Sequence, residues 1–158
     1  MKYWFIFIFN LFFAVSFAQN CKEQPVNDSV YKPSEKKKVL AEIHTIHLSN
    51  KGKIFLVNHN GKYFLKLCLN EKMGMVDLGN LEIKSGNRSY FIKNAVYHNI
   101  NENDAYFFVD MGINYVATLK DEGITSVIYN TKFETKLPKE DMNAVRKTAK
   151  CFYEMHKK

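Results

Sequence analysis

Cysteine, histidine and carboxylate are the side chains through which this chain could do covalent, metal or acid–base chemistry. The cysteines stand at positions 21, 68 and 151. Three permit one disulfide and leave one over. Cys151 falls in a helical stretch and, at about 100° per residue, points away from the stripe Met142, Val145, Ala149 and Phe152, so it should face sideways or outward. A partner on a mobile segment can reach such a position, which favours Cys21 with Cys151. The rival is Cys68 with Cys151. Closing so long a loop would contribute about 3 to 5 kcal/mol on the loop-entropy account. Reduced cysteines, or a bond from Cys21 to another molecule, are the alternatives, and connectivity does not follow from sequence.

His44 and His47 lie three apart. On a helix they would share a face and could share a metal; on a strand they point opposite ways. The stretch reads as strand, and neither His-Glu-x-x-His nor Cys-x-x-Cys occurs, so no metal and no other cofactor is expected. Cys68 with a histidine base could act as a nucleophile, but no cysteine or serine lies in a recognised nucleophile signature, and Gly-x-Ser-x-Gly is absent. Glu102, Asp104, Asp110, Asp121 and Glu122 fall in expected loops or strand ends, where acidic residues normally form turns. No pair stands out for acid–base work, and no catalytic residue is assigned.

The remaining constellation is aromatic. Residues 105–109, 113–119 and 124–130 are rich in β-branched and aromatic types and read as three antiparallel strands, joined by turns at Met111-Gly112 and Asp121-Glu122-Gly123. That register pairs Phe108 with Tyr115, and Tyr115 with Tyr129, so Tyr106, Phe108, Tyr115 and Tyr129 would share one face. Such a row is either a core ridge under a helix or one wall of an apolar pocket whose phenol hydroxyls orient a ligand. Neither face of this meander is polar enough to stand in water, so each should carry a second layer.

The elements that must position these groups begin after residue 18. Met1 and Lys2 precede an apolar run over 3–18 that ends Ser16-Phe17-Ala18, the form of a secretory signal peptide, with cleavage expected between Ala18 and Gln19. The run is short against the ~20 residues needed to cross a bilayer, so no transmembrane segment is expected after cleavage. Lipidation at Cys21 does not fit, because Ala18-Gln19-Asn20 lacks the small residue expected immediately before a lipidated cysteine. Removing residues 1–18 of 158 leaves 140, one domain of ordinary size, and removing Lys2 lowers the formal charge from +7 to +6. A basic exported protein suits anionic surfaces, although lysines scattered mostly singly or in pairs also serve solubility. No nucleic-acid recognition motif is present.

Residues 19–38 are polar, carry Pro25 and Pro33, and read as a flexible tether ahead of a single β-rich domain over 39–158. Residues 39–48 could open as helix and end as strand. A hairpin follows over 53–57 and 62–69 around Asn60-Gly61, a strong short-range turn signal. Its second strand alternates, with Tyr63, Leu65, Leu67 and Leu69 inward. Strands are also expected over 75–78, 81–84, 89–92 and, at an edge, 132–136. The chain closes in a helix over 138–156, opened by Pro138 and bearing acids in its first turn and bases toward its end.

These readings predict a mainly β or α+β fold: an antiparallel meander forming a sandwich or up-and-down barrel, with one C-terminal helix packed on it. Export, small size and absent catalytic signatures point to a non-catalytic binding or interaction protein of a bacterial envelope or the medium. Its partner would be a small apolar ligand, an anionic envelope polymer or another protein, and not nucleic acid. A small exported hydrolase and a structural or assembly component of the envelope are the alternatives.

Overall fold

The computed structural model describes residues 25–32, 37–69, 78–99 and 105–157. The expected signal peptide, its cleavage site, Cys21 and the turn expected near residue 72 lie outside these. In chain order the strands are β1 (Val26–Lys32), β2 (Lys37–His47), β3 (Lys53–His59), β4 (Lys62–Cys68), β5 (Leu78–Ser85), β6 (Arg88–Asn99) and β7 (Ala105–Met111). Helix α1 (Ile113–Glu122) follows, then β8 (Ser126–Tyr129), β9 (Phe133–Lys136) and helix α2 (Lys139–His156). The fold is mostly β and sandwich-like, as expected.

All strand pairs are antiparallel, in the spatial order β1-β2-β3-β4-β7-β6-β5-β8-β9. Two sheets share β6, whose earlier residues pair with β5 while Tyr97–Asn99 pair with β7. The β3–β4 register is set by a two-residue loop in which Asn60 and Gly61 both take positive φ, 52° and 75°. Such a turn twists with the strands it joins. The Asn58 carboxamide oxygen accepts the Gly61 N–H at 3.0 Å, holding the loop from its base.

Strand alternation divides β2, β3, β4 and β7 into two faces. On the inner face, His44, Leu56, Leu65 and Val109 lie in register across the four strands; Ile46, Ile54, Leu67 and Phe107 form the next row. Onto this face pack Val116 and Leu119 of α1 and Val145, Ala149 and Phe152 of α2, making the main core. Apart from Ala149, each of these fully buried side chains contributes about 1.5–3 kcal/mol through the hydrophobic effect. The outer face carries a second cluster of Ala41, Ile43, Val57 and Phe64, flanked by Phe55 and Phe108.

Helix α2 runs where the spacing of Val145, Ala149 and Phe152 places it, with Pro138 as N-cap and Glu140 and Asp141 in the first turn. Asp141 is buried, and its carboxylate accepts the Ser49 N–H at 3.0 Å and the Ser49 hydroxyl at 2.9 Å. That contact ties the β2–β3 turn to the start of the helix, 92 positions on. No described helix is long and apolar enough to cross a membrane.

Two expectations are corrected. The stretch 113–119 is not the middle strand of a meander but the body of α1. Ile113, Val116 and Leu119 recur every third residue, a helical spacing that the β-branched and aromatic content of the run obscured, and burial of Val116 and Leu119 in the main core decides for helix. The expected turn glycines cap it instead: Gly112 is the N-cap, and the Gly123 N–H donates to the Leu119 carbonyl, ending the helix at φ 71°. The second correction concerns the tether. Val26–Lys32 pairs with β2 along its whole length, so part of 19–38 is sheet. Backbone pairing with a well-anchored neighbour orders this polar segment despite its composition.

Candidate functional site

The four aromatic residues expected in one row do not meet. With α1 in place of a central strand, Phe108 pairs with Lys66, and Tyr129 pairs with Leu81 and Phe133. Tyr106 and Phe108 occupy the outer face of β7, where Lys66 Nζ lies 4.2 Å from the Tyr106 ring and Phe108 packs on Phe64 at 5.0 Å. Tyr129 is in the main core, 4.9 Å from the Phe107 ring. Tyr115 leaves the sheet altogether and stacks on Tyr90 at 4.3 Å. Burial pushes its phenol well above the ordinary tyrosine range, against a smaller opposing pull from the Ser85 hydroxyl. These four residues form no common wall.

Convergent polar chemistry gathers instead where β2 meets the end of α2. Glu42 and His44 are two apart on a strand, so both project to the inner face. Glu42 lies in a cross-strand row with Asn58 of β3, Tyr63 of β4 and Met111 of β7. Over that row comes the last turn of α2, carrying His156. Glu42 Oε1 is 3.0 Å from His44 Nε2 and 3.0 Å from His156 Nε2. The three donor atoms all lie within 4.8 Å of one another.

Phe152 is what holds this geometry. Fully buried one turn before His156, it packs edge-on against His44 at 5.2 Å and Tyr63 at 5.7 Å, and lies 4.7 Å from the His156 ring. The Tyr63 hydroxyl donates over a long 3.5 Å to the His156 carbonyl, one of the orphan acceptors at a helix end. Asn58 Nδ2 approaches His156 Nδ1 at 3.4 Å. The histidines differ in setting: the His44 side chain is 1% exposed, while those of His156 and Glu42 are 14% and 23% exposed. The cluster is therefore buried on its His44 side and reachable from solvent on the other.

Burial pulls the Glu42 carboxyl upward, but the hydrogen bonds from His44 and His156, with their charge, outweigh it and hold the group below the ordinary glutamate value. Glu42 is thus an anion facing two imidazole nitrogens. Two imidazoles and a carboxylate can bind a cation, position a water or accept protons from a bound ligand.

The expectation of no metal ligands rested on His44 and His47, and these do point opposite ways, His44 buried and His47 exposed. What sequence reasoning missed is the pair that completes the site. Glu42 was detectable, since a strand puts positions 42 and 44 on one face; His156 was not, because nothing local links it to them. Asp110, Asp121 and Glu122 are exposed, and Glu102 and Asp104 lie outside the described residues. Cys151, expected to face outward, is buried at 8% exposure, which shows that the flank of α2 beside the Phe152 stripe is also covered. The expected Cys21–Cys151 bond involves a residue outside those described.

No protein family profile matches this chain, no curated protein is detectably similar to it, and no solved structure resembles it.

Proposed function

We propose that this is an exported, non-catalytic binding protein whose ligand is held at the Glu42–His44–His156 cluster. The observation that carries the reading is the convergence of three titratable side chains, from β2 and from the end of α2, on one partly open point. Such convergence in a largely apolar setting is the ordinary mark of a ligand site. Export is supported by the apolar run over 3–18 and its small-residue end.

The Cys21–Cys151 disulfide belongs to the same proposal. Val26 stands opposite Ile43, next to His44, and His44 packs on Phe152, the neighbour of Cys151. β1 thus begins one strand over from the part of β2 on which the Cys151 turn of α2 packs. Positions 21 and 26 are five chain steps apart, a reach of up to about 17 Å in extended chain. The bond would fasten the N-terminal segment over the helix that supplies His156.

Mass measurement of the protein from its own envelope or medium, under native and then denaturing conditions, tests the binding function. Extra mass lost on denaturation, and absent from His156→Ala, is expected. Extra mass retained by that variant would place the ligand elsewhere.

A second reading draws on the same donors. Two histidines and a carboxylate leaving one position open is also the ligand set of catalytic zinc in hydrolases, so a small exported hydrolase is the alternative. Ester or peptide turnover that disappears in His156→Ala would favour it over pure binding.

A further inference from the structure

The cluster narrows its own ligand. Resting on the reading that Glu42, His44 and His156 form the binding site, we infer that they hold one divalent transition-metal ion of the zinc class. The ligand atoms are Glu42 Oε1, His44 Nε2 and His156 Nε2, with the fourth position left to water or an exogenous ligand.

The donor set selects the metal. Calcium and magnesium take six or more oxygen ligands, whereas two imidazoles with one carboxylate suit zinc, cobalt, nickel or copper. Distances agree. An ion with tetrahedral bonds of about 2.1 Å sets its ligand atoms about 3.4 Å apart. Both Glu42–His separations are 3.0 Å, and all three atoms fall within 4.8 Å. Binding therefore requires Glu42 to draw back by a few tenths of an ångström and the two imidazole nitrogens to settle about 3.4 Å apart.

Rigidity agrees as well. His44 is fixed in mid-strand and buried, and Phe152 braces both imidazole rings. Preorganised ligands lose little entropy on binding. The exposed flank of Glu42 and His156 supplies an entry path and the open position.

In the metal-free state the two Nε2–H groups donate to Glu42 Oε1, which requires neither ion nor water. Metal binding replaces those two hydrogen bonds by coordinate bonds. Each neutral ring then keeps its single proton at Nδ1, and any ring that was imidazolium releases one proton to solvent. For His156 the consequence is specific, because its Nδ1 faces Asn58 Nδ2 at 3.4 Å, a donor where the bound state needs an acceptor. Asn58 must turn its oxygen toward His156, giving up the Gly61 N–H that this oxygen accepts at 3.0 Å. An aspartate at 58 could serve both, one oxygen on Gly61 and one on His156 Nδ1–H, the carboxylate–histidine–metal arrangement. Asn58→Asp is thus a gain-of-affinity variant, which a purely structural hydrogen-bond triad would not produce.

The test uses the oxidised, exported protein stripped with a chelator, titrated with Zn²⁺ against a chromophoric competitor and with Co²⁺ for its visible spectrum. Wild type is expected to take up one equivalent and, with cobalt, to give the absorption of a four-coordinate nitrogen–oxygen site. His156→Ala, at a partly exposed helix end, should fold as judged by circular dichroism and thermal unfolding. It should lose more affinity than the roughly 10- to 100-fold that outer-sphere changes cost. Asn58→Asp should bind about tenfold more tightly on the same scale. Uptake below one equivalent in folded wild type, or equal uptake by His156→Ala, would overturn the metal assignment, the second outcome indicating surface histidines such as His47 and His59. If zinc is refused yet the native protein carries an organic mass that His156→Ala lacks, the site stands and only its metal class falls.

Discussion

His156, in the last turn of the C-terminal helix, reaches Glu42 of the second strand: Nε2 and Oε1 are 3.0 Å apart across 114 positions of chain. With Asp141 holding Ser49 at the other end of the same helix, the helix is tied to β2 and the turn after it by polar contacts at both ends. The apolar stripe between these ties supplies the bulk of the packing energy. The polar ends set where along the strand the helix stops, and so whether His156 meets Glu42.

Acid should weaken this tie in a defined window. The Glu42 carboxyl is held below 4.5 in the folded chain, and an unfolded glutamate sits near that value. A folded pKa below the unfolded one means that the unfolded state binds protons first as pH falls. The stabilisation is therefore complete above about pH 5 and disappears as pH drops through the folded value. Urea unfolding of wild type and Glu42→Gln in chelated buffer reads it. The gap between the two should be constant from pH 5 upward within the carboxylate range and close below pH 4.5. A gap unchanged at pH 3 would show that Glu42 carries no such linkage.

The two glycines flanking α1 should respond in opposite directions. Gly112 has ordinary φ, an open surrounding and no side-chain cap, so Gly112→Ser gives the helix a capping hydroxyl and stiffens the unfolded chain, for a gain of about 0.5 kcal/mol. At Gly123, φ 71° with ψ −161° is a region open to glycine almost alone, and an added Cβ would meet the Met142 carbonyl oxygen at 2.6 Å. Gly123→Ala should cost at least about 1–3 kcal/mol. Denaturant midpoints decide. Destabilisation by Gly112→Ser would favour a hairpin turn there after all, since a two-residue hairpin loop needs positive φ at that glycine.

The proposed disulfide has its own signature in mass. Non-reduced, denatured protein should be two hydrogens lighter than reduced protein, and proteolytic mapping should join the peptides carrying residues 21 and 151. Reduction should lower stability by about 3 to 5 kcal/mol on the loop-entropy account. Cys68→Ser should leave both observations unchanged; a map joining 68 to 151 would replace the pairing with its rival.

Asn60-Gly61 and the Val145–Ala149–Phe152 stripe were legible in the sequence because each depends on local physics: backbone freedom at two adjacent residues, and one helical period carried over several turns. The same is true of the β-rich class, which follows from the alternation around Leu65 and Leu67. The ten residues of α1 were not legible, because the β-branched and aromatic content of the run favours strand while the spacing of Ile113, Val116 and Leu119 favours helix. Contact with α2 and the main core settles that ambiguity, and contact is a property of the whole chain. The aromatic row dissolved with the strand on which it depended.

The candidate site divides in the same way. By itself the sequence determined that Glu42 and His44 share a face once their segment is a strand, because side chains alternate whatever surrounds them. It also set His156 near the end of a helix. That the helix ends over β2, with Phe152 between two imidazoles and Glu42 beneath them, was decided only by the tertiary structure. Helix placement is a balance of packing along the full length of α2 and polar contacts at both its ends, and no local pattern around residue 156 encodes it.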